Sequence, residues 1–189
     1  MNGEIVLLAH TAYTTQELRR PKLARKEFKE LQRLPIRVVL DGVRQHYNIG
    51  AIFRLCDGFL IEHVYICNTE FREKSRKFVQ ASRGTHRWVP WSVSSNTLET
   101  VQKIKNEGFS IAALEQARDS ITPEAYQSES PICLVVGSEN DGVCQEVLDI
   151  SDIVFELPIL GMTNSYNVST AAAITLYGLF KQKTSTHSL

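Results

Sequence analysis

Five consecutive apolar residues, Ile132-Cys133-Leu134-Val135-Val136, constrain this chain more than any other segment. A strand with one wet face alternates apolar and polar side chains. A continuous run belongs to a strand covered on both faces, as in a parallel sheet flanked by helices. Residues 36–40, 63–67, 87–91, 109–114 and 154–157 also read as strands. Between them, residues 49–59 read as a helix, and residues 97–106 carry Leu98, Val101 and Ile104 at helical spacing until Gly108 ends the segment. An alanine-rich helix over 168–180 closes the pattern. This alternation predicts an α/β fold with a mainly parallel sheet and helices on both faces.

A length of 189 residues, 43% apolar and 22% charged, suits one folded domain rather than a disordered chain. We expect two parts: a charged N-terminal helical extension over 1–34, with Pro21 near its start and Pro35 as its stop, and a domain over 35–189. The zero net charge is unevenly distributed. Residues 19–33 hold seven Arg or Lys against two Glu, residues 72–87 hold six against one, and residues 115–156 hold ten acids against one Arg. Basic groups concentrated in this way can recruit a polyanion even in a neutral chain. Arg19, Arg20, Lys22, Arg25 and Lys26 are therefore candidate nucleic-acid contacts, as are Arg83 and Arg87. Trp88 and Trp91, at the end of the second cluster, suit either base stacking or the core. Cys56, Cys67, Cys133 and Cys144 have neither zinc-site nor thioredoxin-like spacing and read as buried thiols. The apolar run 5–9 follows Glu4 and is too short for a signal peptide or membrane span, so a cytoplasmic protein is expected.

Three polar clusters follow predicted strands. The first is Asn48-Ile49-Gly50-Ala51-Ile52-Phe53-Arg54, where Asn48 can cap a helix, Gly50 permits close approach of backbone or ligand, and Arg54 can clamp a phosphate. The second is Gly137-Ser138-Glu139-Asn140-Asp141-Gly142, directly after 132–136, with Glu139 as its working carboxylate. The third, Gly161 to Ser169, crowds Ser165, Asn167 and Ser169 at the start of an apolar helix. Ligands in open α/β sheets bind beyond the carboxyl ends of strands, where these clusters fall. The chain has no GxGxxG, Walker loop, nucleophile elbow or metal-ligand constellation, so no metal is expected. Small polar groups, one Arg and one Glu suit a pocket that binds a polar cofactor and positions a reaction.

In their order, these segments resemble the SpoU/TrmH class of the SPOUT RNA methyltransferases. Asn48-x-Gly50-x-x-x-Arg54, Gly137-x-Glu139-x-x-Gly142 and the run from Leu157 to Ser169 are similar to the family's three motifs, and Ala81-Ser82-Arg83-Gly84 to its S-x-G turn. The resemblance implies a C-terminal trefoil knot, a homodimer and S-adenosyl-L-methionine as methyl donor. The implied reaction is methyl transfer to a ribose 2′-hydroxyl of RNA. Asn48, Arg54, Glu139, Ser165 and Asn167 are then the catalytic set. Leu134, Val136, Gly137, Glu139, Pro158, Ile159, Leu160, Ser165, Asn167 and Val168 would form the cofactor site, with main-chain groups of 134–139 and 158–160 doing much of the binding.

Tyr166 stands where the family usually has Leu, and His46-Tyr47 precede Asn48 where many relatives have Asp-Pro or Pro-His. Neither departure removes a working group. Transfer RNA, with a D-loop guanosine among its targets, is favoured over ribosomal RNA. A ribosomal RNA 2′-O-methyltransferase, a SPOUT base methyltransferase and a non-catalytic RNA-binding SPOUT protein remain open.

Overall fold

The computed structural model describes residues 12–18 and 25–185. The chain divides after Leu31. Among its described residues, the first unit contains two short helices, α1 (Thr15–Leu18) and α2 (Arg25–Glu30). Within it, Thr14 and Glu17 cap one another: the Thr14 N–H donates to Glu17 Oε2 at 2.7 Å, and the Glu17 N–H donates to Thr14 Oγ1 at 3.2 Å. Arg19, Arg20, Lys22 and Pro21 lie outside the described residues.

The second unit runs β1 (Leu34–Asp41), α3 (His46–Gly58), β2 (Ile61–Cys67), α4 (Arg76–Ser82), β3 (Trp91–Ser94), α5 (Thr97–Asn106), β4 (Ser110–Leu114), β5 (Ile132–Gly137), α6 (Gln145–Ile150), β6 (Ile153–Phe155) and α7 (Val168–Ser185). Six strands form one sheet in the order β3-β2-β1-β5-β4-β6, and every pairing is parallel. The all-apolar run of β5 sits between β1 and β4, buried along its whole length. Pleat alternation divides the core between the two faces. Ile36, Val38 and Leu40 pack with Ile49, Ile52 and Phe53 of α3 and with Ala172, Leu176 and Leu179 of α7. Val39, Cys133 and Val135 pack with Val101 and Ile104 of α5 and Val147 of α6. Helices therefore cover both faces.

Three elements differ from expectation. The strand expected over 87–91 begins at Trp91, because Thr85–Arg87 forms a 3₁₀ turn. The N–H groups of Arg87, Trp88 and Val89 are used within that turn and cannot enter a ladder. Helices α4 and α6 were not anticipated. Cys56, Cys67 and Cys133 are buried, whereas Cys144 is partly exposed. Burial pushes the Cys67 thiol up to about 11, which keeps it protonated and inert at neutral pH. No described helix is long and apolar enough to cross a membrane.

Candidate active site

The loops that follow β4, β5 and β6 enclose a cavity of about 640 Å³, large enough for a nucleoside-sized ligand. Its floor is the end of β5. Ser138 and Gly142 exchange N–H···O bonds at 3.1 and 3.2 Å, folding the loop back onto the strand. A Cβ on Gly137 would lie 2.1 Å from the Gly142 carbonyl carbon, so only glycine permits this fold-back. Glu115, just beyond β4, fixes the loop's far side by accepting the Val143 N–H at Oε2 (3.0 Å).

A hydrogen-bond chain joins the three polar clusters. Asn48 Nδ2 donates to Glu139 Oε1 at 2.5 Å, and Asn167 Nδ2 donates to Asn48 Oδ1 at 3.3 Å. Asn167 Oδ1 accepts the Ser169 N–H at 2.9 Å and its hydroxyl at 2.7 Å, capping α7. Asn48 is 2% exposed, so its amide is committed to this chain. It does not cap α3, contrary to expectation: the helix begins two residues earlier, with Gln45 at the cap. Gly50 serves backbone approach rather than a ligand, because a Cβ there would meet Ala81 Cβ at 2.7 Å where α3 crosses α4.

The loop between β6 and α7 roofs the cavity. Gln116 Nε2 donates to the Asn164 carbonyl at 2.7 Å, and the Tyr166 hydroxyl donates to the Pro158 carbonyl at 3.0 Å. Tyr166, the departure from the family pattern, thus ties the two ends of this loop together.

Of the expected cofactor residues, Val136, Gly137, Glu139, Ile159, Ser165, Asn167 and Val168 line the cavity. Leu134 is fully buried in the core and lies outside the lining. Leu160 projects wholly into solvent, and Pro158 is also exposed outside the lining. Arg54 is exposed on α3 and does not line the cavity of its own chain. Arg83, at a φ of 52°, and Arg87 are exposed at the end of α4 and on the 3₁₀ turn. Arg25 and Lys26 lie in α2. Trp88 donates its indole N–H to Asp57 at 2.6 Å and Trp91 to the His86 carbonyl at 3.0 Å, so both are tied to the protein rather than presented to a base.

Several contributors escaped the sequence. Glu115, Gln116 and Glu156 also line the cavity, beside Asp141 of the second polar cluster. The lining holds four carboxylates (Glu115, Glu139, Asp141 and Glu156) and no Lys, Arg or His, a surface complementary to a cationic ligand. Asp41, 5% exposed at the end of β1, accepts from Thr97 Oγ1 (2.5 Å), the Cys144 N–H (3.0 Å) and Asn68 Nδ2 (3.2 Å). It anchors the start of α6 behind the cavity. Its only sequence signal is an acid closing an apolar strand. Among the described residues, no cluster of His, Cys, Asp or Glu could hold a metal ion.

The sequence model of the SpoU rRNA Methylase family matches residues 35–177. The tRNA (guanosine(18)-2′-O)-methyltransferase of Aquifex aeolicus (strain VF5) is 31% identical over 158 residues, which are 84% of this chain and 74% of that protein. A Staphylococcus aureus protein assigned to the TrmH family as a tRNA/rRNA methyltransferase is 28% identical over 158 residues, and the match spans 63% of its length. The crystal structure of an A. aeolicus TrmH/SpoU tRNA modifying enzyme superposes with a TM-score of 0.77 at 29% identity, over 86% of this chain and 83% of that one.

Proposed function

The chain belongs to the SpoU rRNA methylase family, and from that membership we propose that it methylates a ribose 2′-hydroxyl of RNA with S-adenosyl-L-methionine as donor. Transfer RNA is the proposed substrate class and a D-loop guanosine the proposed target, following the name of the Aquifex relative. The observation that carries the proposal is the chain Asn167–Asn48–Glu139, which joins α3 to the loops after β5 and β6 at the edge of an acidic cavity.

The cavity fits the donor. S-adenosyl-L-methionine carries a sulfonium and, when bound, supplies an electrophilic methyl group. The carboxylates of the lining complement that positive charge. Val136, Gly137, Glu139, Ile159, Ser165, Asn167 and Val168 would hold it. Asn48 acts by fixing Glu139 and Asn167 relative to one another. We further propose that the segment from Leu157 through α7 closes the family's trefoil knot around this site.

A ribose hydroxyl attacks only as its proton leaves. A guanidinium offers N–H donors and no acceptor, so Arg54 is given no proton-abstracting role. Its proposed role is to grip the adjacent phosphate with its planar fork and stabilise the developing alkoxide, while phosphate or water takes the proton. Holding the reacting groups aligned in a closed pocket can contribute up to about 7–11 kcal/mol. Because Arg54 stands outside its own chain's cavity, catalysis calls for a homodimer in which one copy brings Arg54 to the other's site. Arg83 and Arg87, with Arg19, Arg20, Lys22, Arg25 and Lys26 of the 1–34 extension, would grip the RNA backbone. The protein would work in the cytoplasm, beside its substrate.

The test is incubation of the full chain with labelled S-adenosyl-L-methionine and unmodified total RNA, followed by fractionation and nucleoside mapping. Label in transfer RNA at a 2′-O-methylguanosine is expected. Label confined to ribosomal RNA would overturn the substrate, and no label in any RNA would overturn the activity.

A further inference from the structure

Tyr47 immediately precedes Asn48 in the first turn of α3 and is 60% exposed. Its chain neighbours are both committed elsewhere: His46 stacks on Phe71 with ring centroids 5.7 Å apart, and Asn48 is buried in the polar hub. Among the described residues, the Tyr47 ring has no aromatic partner. Helical spacing places Tyr47, Ala51 and Arg54, at i, i+4 and i+7, along one stripe of α3. Tyr47 and Arg54 are both exposed, about 10 Å apart along the helix axis. Ala51 lies between them on that stripe. Arg54 forms no ion pair among the described residues. An aromatic face and a guanidinium at this spacing match one nucleotide: the base on the ring and the phosphate on the fork.

We infer that Tyr47 is a stacking platform that positions an unpaired nucleotide of the RNA on the Tyr47–Ala51–Arg54 stripe. The inference rests on the RNA methyltransferase activity proposed above and adds a positioning residue and a substrate form. A base held within a duplex has no free face to offer the ring, so the recognised nucleotide is single-stranded or turned out of its stack. The stripe places that nucleotide's phosphate where Arg54 can grip it, so stacking also sets the register of the sugar that receives the methyl group.

The test uses the full-length chain, its Tyr47→Ala, Tyr47→Phe and Tyr47→Trp variants, and an unmodified transfer-RNA transcript. Filter-binding affinity and steady-state methyl transfer are measured together, with the sedimentation coefficient of each variant. Tyr47→Ala should raise the RNA Kd and KM about tenfold, within the range for removing one base–aromatic stack. The KM for S-adenosyl-L-methionine and the sedimentation coefficient should not change. Phe and Trp should restore RNA binding, because the ring and not the hydroxyl is used. Wild-type RNA binding and KM in Tyr47→Ala would overturn the inference. So would failure of Phe to rescue, or a fall to monomer, which would make Tyr47 an interface residue. RNA binding that depends on Tyr47 without any methyl transfer would overturn the proposed activity alone. Methyl transfer insensitive to Tyr47 would overturn the platform alone.

Discussion

Arg54 and Asp41 show how differently single residues enter this molecule. Arg54 is exposed and, among the described residues, its fork is unspent on the protein, so replacing it should damage chemistry rather than folding. Arg54→Lys keeps the charge and loses bidentate geometry. Methyl transfer should fall at least about a hundredfold, by analogy with removing a transition-state donor, while calorimetric binding of S-adenosyl-L-methionine stays intact. Equal loss of both would make Arg54 structural. Asp41 is the reverse case, with its carboxylate buried and accepting from three partners. Asp41→Ala strands those donors and should cost about 3 kcal/mol in urea denaturation. A change under about 0.5 kcal/mol, ordinary for a surface site, would contradict its anchoring role. Asn48, Glu139 and Asn167 were legible in sequence because each sits in a polar cluster that follows an apolar strand. Asp41 was not, since its partners lie 27, 56 and 103 residues away and only folding assembles them.

At the scale of elements, tight contacts hold the site's frame. Where α3 crosses α4, a Cβ on Gly50 would sit 2.7 Å from Ala81 Cβ and 2.8 Å from the Phe78 carbonyl oxygen. Gly50→Ala should therefore destabilise by about 1–3 kcal/mol, the usual cost of overpacking. An unchanged denaturation midpoint would contradict that packing. The sheet itself was readable because parallel strands buried on both faces need apolar runs, and β1, β2, β4 and β5 have them. Helix α5 was placed to the residue, helped by Asn96, whose side chain accepts the Glu99 N–H. Helix α4 escaped because its sequence is largely basic and polar, with only Phe78, Ala81 and Ser82 buried. Helix α6 is six residues long, too short to display a helical period. The early start expected for β3 came from reading the apolar and aromatic residues of 88–91 as a strand, whereas Trp88 and Val89 use their N–H groups to close a turn.

For the whole molecule, acid should weaken folding in a defined window. Burial, then the nearby Arg37 guanidinium, holds His63 below its ordinary value of 6.5. Burial and Arg87 do the same to His86. The unfolded chain then binds protons at higher pH than the folded one. The stability contributed by the neutral imidazoles is fully present above 6.5 and is lost as pH falls through that value toward the folded pKa values. The urea midpoint should drop between pH about 7.5 and about 5.5, and His63→Gln should flatten the decline. A flat profile in the wild-type chain would contradict this.

The proposed shared site makes a second prediction for the whole molecule. Arg54→Lys and Asn167→Ala chains, each inactive alone, should regain about a quarter of wild-type activity when refolded together, because half the dimers are mixed and each mixed dimer keeps one intact site. No recovery would confine Arg54 to its own chain. The most direct test of the central claim is alkaline hydrolysis of RNA labelled by the wild-type chain. Label should survive in alkali-resistant dinucleotides, since a methylated 2′-oxygen cannot attack its phosphate. Label released in mononucleotides would put the methyl on a base and contradict the placement of a methyl donor against a sugar oxygen.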